Sequence, residues 1–348
     1  MNGTGSLLTV GIPGPRLDSA TREFLDRIRP GVVILFRRNV EAGLDALRRL
    51  IADLHDLPWH PLVAIDHEGG RVMRLDEPFT RFPPAAVVGA RRDQALARDV
   101  AFAMGRELAS VGFDLVYAPV LDVLTRTDNA VIADRALGSA PHWVARLGAA
   151  QVRGFWDAGI LCCGKHFPGH GDTAVDSHYD LPHVEAGFAE LERRELVPFR
   201  AAIEVGVPML MTAHVVYSAS SGGLPATLDP LFLRTVLREK LRFGGVVVTD
   251  DLEMGAVQRI RSPSEAAVEA VEAGADGVLV CQTSTAALAV ALALEKAAEE
   301  RPHMREAVET ACRRWLAVRE KLAALPRSSC ELPCAEHRRL AQSIASRS

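Results

Sequence analysis

The sequence predicts a single-domain α/β protein, a closed (β/α)8 barrel of the TIM type, and three observations predict it. Short apolar or β-branched runs recur along the chain, with stretches of helical periodicity between them. Most of these runs are continuously apolar rather than alternating, as parallel strands covered on both faces are. Several helical stretches also end in a glycine just before the next run, where a left-handed residue closes the last helical turn.

Taken in order, the predicted strands are 7–12, 32–36, 62–66, 114–119, 160–166, 209–214, 246–250 and 277–281. Amphipathic stretches at 44–55, 94–111, 142–158, 188–205, 230–241 and 264–273 supply the helices between them. The punctuating glycines are Gly112, Gly159, Gly206, Gly244 and Gly274. Eight strands in a chain of 348 residues fit one barrel. A doubly wound open sheet is the competing architecture, but no G-x-G-x-x-G follows the first strand. Residues 76–92 read as an irregular excursion. The stretches 304–325 and 335–346 read as helices packed outside the barrel, so that 1–348 forms one domain with no linker.

A chain that is 48% hydrophobic, 24% charged and of net charge −4 has the core of a globular protein and no basic face. Nucleic acid and anionic membrane are therefore not expected partners. The first fifteen residues carry no cationic segment ahead of their short apolar piece, so they do not read as a signal peptide. No run approaches the roughly 20 apolar residues of a transmembrane helix. Cys162, Cys163 and Cys281 lie in strand-like runs, where thiols behave as small hydrophobes. Cys330 and Cys334, with His337 nearby, can be drawn as part of a zinc site, but a fourth ligand is missing and an ordinary pair of thiols is the plainer reading. The expectation is a reduced, cytoplasmic, monomeric protein without a cofactor.

Barrel chemistry gathers at the carboxyl ends of strands. The polar groups there are Asp66, His67 and Glu68, then Asp122, Lys165 and His166, His214, and Asp250, Asp251 and Glu253. A single strand-end acid is often a helix cap, as Asp251 and Glu253 can be; the convergence of so many is the signal. The segment K-H-F-P-G-H-G-D-T-A-V-D-S-H at 165–178 is the densest, with three histidines, two aspartates, a lysine and two glycines. The connection 167–187 is long and lacks helical periodicity, as lids and binding loops do. A second loop, 124–140, holds Arg126, Asp128, Asn129, Asp134 and Arg135.

Three chemistries can use these groups. His166, His170, Asp172, His178 and His214 make a formal metal set, but the H-E-x-x-H pattern and an early H-x-H are absent. Ser-His-Asp acyl transfer lacks its G-x-S-x-G. Glycosyl transfer needs a carboxylate and a proton donor on opposite sides of a scissile bond, which Asp250 and a loop residue can supply.

The segments D-H-E-G-G-R-V-M-R (66–74), A-P-V-L-D-V (118–123), K-H-F-P-G-H-G-D-T (165–173), D-S-H (176–178) and T-D-D-L-E-M (249–254) resemble the β-N-acetylglucosaminidases of glycoside hydrolase family 3. The resemblance implies a (β/α)8 barrel that removes a terminal β-linked N-acetylglucosamine with retention of configuration. It maps the nucleophile to Asp250, the acid/base to His178 and the partner of that histidine to Asp176. It maps the sugar-hydroxyl contacts to Asp66, Arg74, Arg135, Lys165 and His166, with no metal. Members of this size resemble cytoplasmic cell-wall-recycling enzymes, whose substrate is a small carbohydrate or muropeptide, N-acetylglucosamine linked to anhydro-N-acetylmuramic acid. Larger members carry a second domain that supplies a carboxylate donor, and this chain is too short for it, which leaves the role to His178. His67 stands where the family more often has Gln, and Met73 where a polar residue is common; both neighbour the expected sugar contacts.

In physical terms, Asp250 would attack the anomeric carbon while His178 protonates the leaving oxygen and later deprotonates water. An imidazole titrates near neutrality and serves both steps, with Asp176 holding its other nitrogen. Gly169 and Gly171 would let the loop close. A family 3 phosphorylase, in which phosphate replaces water, and a non-catalytic sugar-binding barrel are the competing readings.

Overall fold

The computed structural model describes residues 3–177 and 180–346. Eight parallel strands close on themselves: β1 (Leu8–Gly11), β2 (Val32–Leu35), β3 (Leu62–Ile65), β4 (Leu115–Val116), β5 (Leu161–Phe167), β6 (Met209–Thr212), β7 (Val246–Asp251) and β8 (Gly277–Val280). Each pairs with its neighbour in sequence, and β8 returns to β1 through Leu8↔Val278 and its successors. The predicted strands are all present; six are shorter than predicted by one to four residues, while the fifth is shifted by one and the seventh gains Asp251.

The continuous apolar runs follow from this closure. Within β2, Val32 and Ile34 face the lumen while Val33 and Leu35 face the helices; in β5, Cys163 points in and Cys162 out. Neither side is wet, so neither can be polar.

The covering helices are α1 (Ser19–Ile28), α2 (Leu44–His55), α3 (Gln94–Val111), α4 (Pro141–Ala158), α5 (Leu196–Glu204), α6 (Leu231–Lys240), α7 (Pro263–Ala273) and α8 (Ser284–Glu300). Gly112, Gly159, Gly206 and Gly274 have positive φ beyond α3, α4, α5 and α7, as the punctuation predicts. Gly244 does not: past α6 the left-handed residue is Arg242, at φ 54°. The predicted helix 188–205 is two helices, Phe188–Arg193 and α5, broken at Arg194 and Glu195. Residues 76–92 are largely irregular, with one short helix, Ala85–Ala90.

Two further helices follow, α9 (Pro302–Ala324) and α10 (Ala335–Ala345). α9 does more than pack against the outer helices. Its Trp315, Val318 and Leu322 join the cluster of lumen-facing residues, and the Trp315 indole donates to the Asp276 carbonyl at 2.9 Å. Asp276, just before β8, also receives Arg238 and, at 2.6 Å, Arg314. Arg319 donates to the carbonyls of Gly31 and His60 at 2.8 Å, both just before strands. The amino-terminal end of the barrel is thus plugged by one aromatic side chain and ringed by ion pairs. Among the described residues, no helix is long and apolar enough to cross a membrane.

Candidate active site

The open end is the other one. The carboxyl ends of the strands surround a cavity of about 510 Å3, within the range of small-molecule sites. Asp66, Arg74, Arg135, Lys165, His166, Asp176 and Asp250 all line it. Residues from 66 to 250 in the sequence therefore meet in one place.

Neighbouring residues of a regular strand face opposite sides, yet Lys165 and His166 both reach the cavity, as do Asp250 and Asp251. Each pair sits at an irregularity in the ladder. The register between β5 and β6 shifts between Gly164 and Phe167, and that between β7 and β8 shifts between Val248 and Asp251. Such slips re-aim side chains. The pairs are hence presented by local breaks in the strands that carry them.

A chain of ion pairs lines one wall. Lys165 Nζ lies 2.9 Å from Asp66 Oδ1 and 2.6 Å from Glu68 Oε1. Arg135 grips Glu68 with two nitrogens, at 2.8 and 2.9 Å, in the forked geometry that suits a carboxylate. Arg74 reaches Asp66 Oδ2 at 3.4 Å, and its buried Nε has no partner. Burial opposes the charge on Glu68, but Arg135 and Lys165 outweigh it and hold the carboxyl far below the usual range. Burial likewise opposes the charge on Lys165, and Asp66 and Glu68 restore it. These groups stay charged because each is paired.

Asp250 stands opposite, at the end of β7. Burial raises its pKa, but His166, His214, the Asp251 backbone N–H and Lys165 together pull it below the ordinary aspartate value. One oxygen accepts that N–H at 2.8 Å. Asp251 is the reverse case, pushed up to about 6 chiefly by burial. Its Oδ1 accepts from the backbone of Glu253 and Cys281, and Glu253 accepts from Gln282 and Thr283. Asp251 and Glu253 therefore fasten the loops after β7 and β8.

Asp122 organises the dense segment from beneath. Fully buried, it takes His166 Nδ1 at 2.7 Å on one oxygen and the His166 and His170 backbone N–H groups on the other. His170 spends both ring nitrogens inside the loop, on Thr173 Oγ1 at 2.9 Å and Ser177 Oγ at 3.0 Å. Burial and the nearby His166 lower its pKa to about 4, so it bridges the two hydroxyls as a neutral ring. His214 contacts Thr227 Oγ1 and the Asp251 carbonyl. Among the described residues, the histidines of the formal metal set are thus divided among separate partners.

The loop itself is tightly seated. A Cβ on Gly171 would stand 1.9 Å from the Val123 carbonyl oxygen, and one on Gly169 would meet Glu195 Cγ at 2.6 Å. Close approach demands both glycines here, whatever freedom they also confer. Arg194 ties Asp172 at 2.6 Å and Glu195, and Ala256 N donates to the Ser177 carbonyl at 3.1 Å. His178, the expected proton donor, lies outside the described residues.

Sequence reasoning missed Glu68 as the hub of the wall, and missed Arg71, which lines the cavity and binds Asp134 and the Ala130 and Val131 carbonyls. Strand alternation was the usable signal for Glu68: two residues past Asp66, it must share its face. His67 and Met73, expected beside the sugar contacts, are buried and do not line the cavity.

Comparison with known proteins accords with this geometry. Residues 4–318 match the glycosyl hydrolase family 3 N terminal domain. A β-hexosaminidase of Alkalilimnicola ehrlichii is 43% identical over 290 residues, covering 81% of this chain and 82% of its own. The glycoside hydrolase family 3 β-N-acetylglucosaminidase of a Paenibacillus species superposes with a TM-score of 0.94 at 38% identity, over 99% of this chain and 68% of that one. NagZ of Neisseria gonorrhoeae, solved with N-trifluoroacetyl-D-glucosamine, superposes with a TM-score of 0.80 at 31% identity, over 98% and 97%.

Proposed function

The chain belongs to glycoside hydrolase family 3 and is a glycoside hydrolase of the β-N-acetylhexosaminidase class, and from that premise we propose a retaining exo-β-N-acetylglucosaminidase. Its natural substrate is N-acetylglucosamine β-linked to anhydro-N-acetylmuramic acid, with or without peptide, and its setting is peptidoglycan recycling in the cytoplasm. No cofactor takes part.

One observation carries the reading: a carboxylate kept ionised, Asp250, faces a wall of charged hydrogen-bonding groups across a cavity of small-molecule size. Asp250 attacks the anomeric carbon, and a glycosyl–aspartate ester forms as the glycosidic bond breaks. His178 gives its proton to the departing oxygen and takes one from the incoming water, with Asp176 on its other nitrogen. Asp66, Arg74, Arg135, Lys165 and His166 orient the sugar. Charged donors and acceptors hold hydroxyl groups more firmly than neutral ones do, and their mutual pairing fixes them before the sugar arrives.

The test is release of p-nitrophenol from its β-N-acetylglucosaminide and its β-glucoside, each with and without phosphate. Turnover of the N-acetyl substrate without phosphate is the expected result. Turnover that requires phosphate would make the protein a phosphorylase. Binding of N-acetylglucosamine without turnover of either glycoside would make it a sugar-binding barrel.

A further inference from the structure

Far from the cavity, the chain before α10 folds back onto α3 and brings three metal-binding side chains together. One ligand atom from each of Cys330, Cys334 and His337 lies within 4.8 Å of those of the other two. Cys334 immediately precedes α10 and His337 sits in its first turn. Both thiols are unpaired.

The histidine is the telling member. It is 97% buried, with 3% of its surface exposed. Its Nδ1 lies 2.9 Å from Glu107 Oε1, and Glu107 is itself buried and fixed by the Thr80 N–H and hydroxyl. Its Nε2 is buried with no hydrogen-bond partner. A buried polar atom without a partner is costly, so an orphan on a ring gathered with two thiols calls for a ligand. A carboxylate on Nδ1 sets the tautomer that leaves the Nε2 lone pair available, which is the arrangement behind most metal-bound histidines.

We propose that Cys330, Cys334 and His337 form a structural site for a zinc-class divalent cation, oriented by Glu107. Thiolate and imidazole together favour zinc over the hard cations. In a tetrahedral zinc site with bonds of about 2.0–2.3 Å, the ligand atoms stand roughly 3.5–3.8 Å apart. The three need only close by about an ångström to reach that geometry. Cys330 and Cys334 are half-buried, so the fourth position opens to solvent and a water molecule completes the shell. That removes the objection raised by the missing fourth side chain. Both thiols lose their protons to solvent on binding, and no redox step is involved. The site joins α10 and the tail before it to α3, beside the Arg106–Ser329 contact at 2.9 Å.

The test uses the whole protein purified under reducing conditions, freed of metal with chelator and reloaded with zinc or cobalt(II). One zinc per chain is expected, with a thiolate-to-cobalt charge-transfer band. Cys330→Ser and Cys334→Ser should each abolish the band and the zinc. Chelator should lower the melting temperature of the wild type by several degrees and leave that of the double serine variant unchanged. Glycoside turnover below the melting temperature should not respond. Absence of the cobalt band, a band that survives both substitutions, or a Cys330–Cys334 disulfide in the reduced preparation would overturn the proposal. Metal bound with no thiolate-to-cobalt band would place it on other side chains and overturn the proposal equally.

Discussion

Glu68 is buried and Asp250 half-buried, and both acids stay ionised, yet they answer to different tests. Asp250 is proposed to make and break a bond, so Asp250→Asn should lower kcat by on the order of 10^4-fold while N-acetylglucosamine still binds by calorimetry. Near-normal turnover would remove it from the nucleophile's place. Glu68 holds Lys165 and Arg135 together, and Glu68→Gln should cost about 3 kcal/mol in chemical unfolding because Arg135 loses its carboxylate partner and Lys165 one of its two. It should also raise KM, since Arg135 would lose its forked grip and Lys165 would be held by Asp66 alone. The residues that reach the cavity were legible where they cluster in the sequence, as at 165–178. Glu68 was named as a strand-end group but not as a hub, because its partners lie 67 and 97 positions away and only folding brings them to it.

Arg194 and Glu195 interrupt a helix that the periodicity of 188–205 extends without a break. The apolar spacing is real, but these two side chains turn toward Asp172 and Gly169 instead, and those partners cannot be seen in a local window. Burial lifts the Glu195 carboxyl to about 7, against Arg194. Its folded pKa thus exceeds the unfolded value of about 4.3, so the native state binds more protons between those values and stability falls as pH rises across that window. Glu195→Gln should flatten this slope in melting-temperature profiles and gain on the order of 2 kcal/mol above pH 7. A second element-scale prediction concerns the seat of the loop. Gly171→Ala forces it away from Val123, and a displacement of about an ångström should lower kcat/KM by roughly 10^2-fold while the melting temperature moves little.

At the scale of the whole molecule, the barrel was legible because the signature of a βα unit recurs along the chain. Continuous apolar strands and left-handed glycines repeat around the ring, and a failure at Gly244 does not disturb the count. The plug was not legible. Nothing in the amphipathic spacing of 304–325 says that Trp315 enters the lumen, since a helix on the outside would read the same. Trp315→Ala should destabilise the fold by about 3–5 kcal/mol. Its kcat and KM at a temperature well below unfolding should match the wild type, because the plug and the cavity occupy opposite ends of the barrel. Altered KM would show that the two ends communicate.

The plug also fixes traffic. Trp315 turns a tube into a cup, and a cup has one doorway. Under the proposed reading the sugar enters first and sits deepest, so the leaving fragment must depart before water arrives, and the freed monosaccharide must go before the next chain end comes in. Last in is first out. Such a queue makes N-acetylglucosamine a competitor for the seat it has just vacated, and steady-state inhibition by it should be competitive with substrate.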